Sequence, residues 1–174
     1  MKTTSFLSLA LVASALCVSG CGGSDSSSGS GGSGGGGGAG SSFDACSIVT
    51  ADDATAILGN TAAKETGTAN TDPNFLGECL WGFDNGDYSQ LMEFRGFDGQ
   101  SYYSAPTDSD PVSIGDQGYV RVNAIAGVEV AWLQGNWAIS LSYGTAGTTA
   151  PDPAGKVDEM KALAQKAAQA IHPQ

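Results

Sequence analysis

The sequence predicts an α+β domain: an antiparallel sheet of about five strands, with a short N-terminal helix and a longer C-terminal helix packed on it. Three observations carry this. A capped apolar segment lies near residue 50, and the turn dipeptides Asn85-Gly86 and Gly135-Asn136 each sit between alternating apolar and polar runs. The chain then closes on an amphipathic stretch with helical spacing.

The first helix lies within Cys46–Gly59. Thr50 is its N-cap, Asp52 and Asp53 occupy the first turn where the helix dipole favours acids, and Gly59 terminates it. Ile57 and Leu58 face inward, and a helix this short needs tertiary support.

A two-residue loop at Asn85-Gly86 pairs Asp84 with Asp87, Phe83 with Tyr88, Trp81 with Gln90 and Cys79 with Met92. Trp81, Phe83, Tyr88 and Met92 then share one face, and Gly82, Ser89, Glu93, Arg95, Leu80 and Leu91 the other. The second hairpin pairs Gln134 with Trp137, Trp132 with Ile139, Val130 with Leu141 and Val128 with Tyr143. Glu129, Ala131, Ser140 and Ser142 face away. A further strand, Tyr119–Ala124, turns Val120 and Val122 inward.

In the closing helix Asp152 caps and Pro153 takes the first turn. Val157, Met160, Leu163, Ala164, Ala167 and Ile171 form its apolar stripe. Asp158 and Glu159 come early and Lys161 and Lys166 late, as the dipole prefers.

Composition narrows the function. The 174 residues hold 18 acidic and 7 basic side chains, a net charge of −11, so phosphate backbones are repelled and no nucleic-acid partner is expected. The single histidine, His172, leaves no His pair, His–Cys dyad or Ser–His–Asp set to assemble. G-x-S-x-G is matched only at Gly31–Gly35, inside the Gly/Ser stretch before residue 43 and away from any strand–helix turn, and no phosphate-binding glycine loop follows a strand. No enzymatic activity and no cofactor is expected.

The chain begins with Lys2 and an apolar run, Phe6–Val18, which matches the core of a signal peptide and is too short to stay across a bilayer. The run ends in Val18-Ser19-Gly20-Cys21, which resembles the lipobox of bacterial lipoproteins. That resemblance implies a signal peptide over 1–20, removed before Cys21, and a diacylglycerol on the Cys21 thiol. Several acyl chains make such an anchor effectively permanent, at about 0.8 kcal/mol per buried methylene. The expected location is extracytoplasmic, lipid-anchored to the cell membrane or outer membrane. Gly22 stands where Asp resembles an inner-membrane retention signal, which favours the outer membrane in a cell that has one.

Residues 21–42 comprise the lipidated Cys and a flexible tether. From Gly22 to Ser42 only Asp25 and Ala39 interrupt Gly and Ser, a composition that buries too little surface to offset the entropy of ordering. Such a linker spans roughly 25 Å on average and about 70 Å fully extended. The single folded domain is 43–174.

Cys46 and Cys79 fall in this exported domain, where disulfides persist. A bridge between them closes a loop of about 34 residues, worth about 4 kcal/mol in the chain-entropy model. The alternative, a two-thiol metal site or redox pair, lacks CxxC spacing and a supporting His.

The set Asp44-Ala45-Cys46-Ser47-Ile48-Val49-Thr50, the ending Leu58-Gly59, Cys79-Leu80-Trp81, Ile114-Gly115-Asp116-Gln117-Gly118-Tyr119 and the Ala-rich last helix resemble a family of small bacterial lipoproteins. These are common in actinobacteria and known as a domain of unknown function. The family's motif often has Pro where Ala45 stands. The resemblance implies an α+β domain with a disulfide of this kind, similar in outline to extracytoplasmic sensor domains, and supplies no catalytic residues.

Other candidates are weaker. Asp84 and Asp87, opposite each other at a hairpin tip, form a weak candidate metal site without the further oxygens calcium needs. The long segment from Asp98 to Gln117 brings Tyr102, Tyr103, Asp108 and Asp110 together as a candidate surface for a ligand or partner. Trp137 joins them as the exposed tryptophan, because alternation assigns Trp81 and Trp132 to the core. The expected function is therefore a non-catalytic binding or sensor-like interaction module for an envelope protein, a glycan or a small ligand. The alternative is a passive structural or surface lipoprotein of the cell envelope. A concave cleft distinguishes the first from the second.

Overall fold

The structure is a computed structural model that describes residues 43–67, 69–123 and 127–173. The signal segment, Cys21, the tether and Ala124 lie outside the described residues. Two helices open the domain, α1 (Ala45–Ile48) and α2 (Ala51–Leu58). Then come β1 (Ala63–Glu65), β2 (Phe75–Asp84), β3 (Tyr88–Asp98), β4 (Asp110–Val112), β5 (Gln117–Asn123), β6 (Gly127–Gln134), β7 (Trp137–Gly147) and α3 (Val157–Ala170). The strands form one antiparallel sheet in the order β1-β2-β3-β7-β6-β5-β4. Two meanders thus meet at its centre, where β3 lies along β7.

The α+β class and the closing helix agree with expectation, but the sheet has seven strands and not five. The additional two, β1 and β4, are three residues each, too short to display alternation, and both are edges. Pro111 fits in β4 because an edge strand can spare an N–H.

The first hairpin departs from its expected register by two residues: Asp84 faces Ser89, and Trp81 faces Met92. The side chains of the turn decide this. Asp84 Oδ1 accepts from the Gly86 N–H at 2.7 Å, and Asn85 Oδ1 accepts from the N–H groups of Asp87 and Tyr88 at 3.0 and 3.1 Å. These bonds close a four-residue turn in place of a two-residue one. A shift of two leaves every side chain on its expected face. The second hairpin has the expected register throughout.

Local signals set the helix ends. Thr50 and Asp53 form a capping box, and Gly59 closes α2 at φ +70°. Asp44 caps the additional helix α1 through the Ser47 N–H. Asp152 accepts from Ala154 N–H and caps a 3₁₀ turn over Pro153–Lys156, which leads into α3.

The three α-helices lie on one face of the sheet. Met92, Phe94, Val128, Val130, Trp132, Leu141 and Tyr143 are fully buried there, with Met160, Ala164 and Ala167 of α3. The Cys46–Cys79 disulfide, with its Cα atoms 5.1 Å apart, ties α1 to β2. Lys166 of α3 pairs with Asp53 of α2 at 2.7 Å. Phe43 packs over Phe94 and edge-on to Trp137, with ring centroids 5.6 and 5.8 Å away. It reaches that position because Gly96 lies beneath it; a Cβ there would come within 2.9 Å of the ring.

Two burial expectations are corrected. Trp137 is only 7% exposed, because Phe43 covers that end of the hairpin. Val122 is 47% exposed, because β4 pairs only with Gly118–Val120 and leaves the end of β5 flanked on one side.

Candidate functional site

The opposite face of the sheet carries a cleft. It begins with the alternation of β7: Trp137, Ile139, Leu141 and Tyr143 point to the helices, so Ala138, Ser140, Ser142 and Gly144 point away. Small side chains on the central strand make a low floor. Flanking it are Phe97, Arg95 and Glu93 on β3, Ala131 and Glu129 on β6, and Tyr119 and Arg121 on β5. Three strand spacings separate β3 from β5, about 14 Å.

The segment after β3 raises the walls. Gly99, at φ +128°, turns the chain, and a 3₁₀ turn over Gln100–Tyr102 follows. The Tyr102 ring stacks on Phe97 with centroids 4.8 Å apart and an interplanar angle of 11°. Its hydroxyl donates to the Asp72 carboxylate, 2.8 Å from Oδ2, and accepts from Asn74 Nδ2 at 3.0 Å. Tyr103 packs on Tyr119 with centroids 5.7 Å apart. Between the two aromatic pairs is a cleft of about 270 Å³, with Arg95, Ser140 and Glu129 at its base. A more open hollow continues past Tyr103 and Tyr119 towards Pro106 and Pro111.

Four of the charged side chains on this face form two ion pairs. Arg95 Nη1 lies 3.2 Å from Glu93 Oε1, and Arg95 Nε donates to Ser140 Oγ at 3.3 Å. Arg121 Nη2 lies 3.1 Å from Glu129 Oε2. Burial, reinforced by the Glu129 carboxylate, pushes the Tyr119 hydroxyl up to about 12, so it stays protonated. Burial also raises Tyr103. Glu78, beside Arg95 on β2, is raised by burial and by Glu93, with Arg95 acting against them.

Of the residues singled out from sequence, Tyr102 and Tyr103 line the cleft. Asp108 and Asp110 are exposed farther along the segment, outside the cleft lining, and Trp137 belongs to the core on the other face. Asp84 and Asp87 are not opposite each other, since Asp84 faces Ser89 and binds the turn backbone. Among the described residues no group of three His, Cys, Asp or Glu side chains is placed to hold a metal. Cys21 lies outside the described residues.

Arg95, Phe97, Tyr119, Glu129 and Ser140 were legible only as outward-facing strand positions. Their signal was the alternation of outward-facing with core positions on four strands, β3, β5, β6 and β7, and the segment from Gly99 onward turns that surface into a cleft. The site can stack on a flat apolar ring face, donate from Arg95, Ser140 and tyrosine hydroxyls, and accept at Glu129. Compared with models of known protein families, with curated proteins and with solved structures, the chain matches none.

Proposed function

We propose that this protein is a membrane-anchored bacterial lipoprotein that acts as a non-catalytic, extracytoplasmic binding or sensor-like module. The cleft carries this reading. A passive structural lipoprotein has no need to hold aromatic pairs and two ion pairs around a hollow on an otherwise open sheet face. The anchor rests on the lipobox-like Val18-Ser19-Gly20-Cys21 and the Gly/Ser tether, and the location on the cell membrane or outer membrane follows from them. The disulfide is in keeping with an oxidising compartment.

Two measurements on the full-length protein, produced in a bacterium that processes lipoproteins, test the two halves. Intact mass and fractionation test the anchor: the wild type carries acyl chains on Cys21 and stays with membranes, and Cys21→Ser loses the acyl mass and the retention. An unacylated wild type overturns the anchor. Hydrogen exchange against envelope saccharide, peptide and lipid pools tests the module, with slowed exchange expected over 95–104 and 117–123. Unchanged exchange with all three pools favours the passive role.

A further inference from the structure

We infer that the cleft binds a neutral saccharide. This deepens the binding-module reading and rests on it. The first argument is charge. Arg95 is paired with Glu93, and Glu129 with Arg121, so the base of the cleft has donors and acceptors without a net charge to recruit an ion. Anions meet Glu78, Glu93 and Glu129 on the same face of a chain with net charge −11, and cations meet Arg95 and Arg121. A hydroxyl both donates and accepts, which is what Arg95 and Ser140 on one side and Glu129 on the other can satisfy.

The second argument is shape. A pyranose ring has polar edges and an apolar C–H face, and it needs an aromatic wall beside a polar floor. Tyr102 and Tyr103 supply such walls over Ser140, and both are held from behind, Tyr102 by Phe97 and Asp72 and Tyr103 by Tyr119. The ion pairs likewise hold Arg95 and Glu129 in place before a ligand arrives, which lowers the entropy lost on binding. The volume of about 270 Å³ fits one or two sugar rings, and the open hollow beyond Tyr103 lets a longer chain pass out.

The test titrates detergent-solubilised full-length protein with maltotetraose, cellotetraose and chitotetraose, and separately with tetra-alanine and phosphatidylglycerol micelles. Hydrogen exchange and saturation-transfer NMR are the readouts. The expected result is binding of at least one tetrasaccharide, with saturation reaching the ring C–H protons and exchange slowed over 95–104. Tyr103→Ala weakens it about tenfold, the loss of one aromatic contact. Ser104→Trp, at an exposed position on the rim, abolishes it without touching the core. Tetra-alanine or the micelles slowing exchange over 95–104 while no saccharide does so overturns the saccharide and leaves the binding module standing. Unchanged exchange there with all five probes overturns both. Saccharide binding that survives Ser104→Trp overturns the assignment to this cleft.

Discussion

The two faces of one sheet obey different rules, and β7 belongs to both. Towards the helices it presents Trp137, Ile139, Leu141 and Tyr143, all buried; away from them it presents Ala138, Ser140, Ser142 and Gly144. The covered face is filled by volume, with Met160, Ala164 and Ala167 of α3 packed on it and Phe43 over Gly96. The free face is arranged by charge and hydrogen bonds, with small side chains leaving room that the Tyr102–Tyr103 segment encloses. The packed core therefore lies on one face and the proposed binding cleft on the other, so each can be perturbed with limited effect on its partner.

The largest effect should come from the disulfide on the covered side. The Cys46→Ser, Cys79→Ser double variant should lose about 4 kcal/mol in urea unfolding, the loop-closure term for this span. Leu141→Ala should cost about 3 kcal/mol, because the side chain is fully buried and the site cannot collapse around the missing atoms. Its neighbour on the other face, Ser142→Ala, should change stability by less than about 0.5 kcal/mol. Equal losses from these two would break the division between the faces. Gly96→Ala should cost about 2 kcal/mol by pushing the Phe43 ring off Phe94, with a change in near-ultraviolet circular dichroism as the local readout.

The smallest effects are in pH, and the two faces should respond with opposite sign. Burial raises Glu78 above its ordinary value, with Glu93 adding to it. The unfolded chain therefore releases this proton first, and stability falls as pH rises through that interval. Glu78→Gln should remove the fall and be the more stable protein at neutral pH, by under about 1 kcal/mol. On the helix side, burial also acts to raise Asp53, but hydrogen bonds from Lys166 and Thr50 outweigh it and the carboxyl is lowered. Its contribution is present above the ordinary carboxylate value and is lost as pH falls below about 4. Lys166→Met should shrink that acid-limb loss, again by under about 1 kcal/mol because the lysine is exposed. Unfolding curves from pH 3 to 7 check both.

Much of the fold was written locally. The Thr50 capping box, the Gly59 terminator, the Gly135-Asn136 hairpin and the α3 stripe depend on residues a few positions apart, so the sequence displays them. The first hairpin slipped because Asp84 and Asn85 bind the turn backbone, a choice between two turns of similar energy that dipeptide identity does not make. The edge strands β1 and β4 carry no pattern of their own and exist because a neighbour offers unpaired backbone groups. Trp137 shows the same limit for burial: its strand face was legible, but its cover is Phe43, more than ninety positions away.

By itself the sequence determined the α+β class, the facing of the five longer strands and the two helices with caps, because periodicity and capping are properties of short windows. Only the tertiary structure decided that β3 pairs with β7, which brings Arg95 beside Ser140 across 45 positions of chain and places Tyr103 over Tyr119. The cleft is made of those distant pairings. Its residues have no spacing in common along the chain, since what unites them is a shared sheet face and the turn at Gly99 that folds one segment back over it.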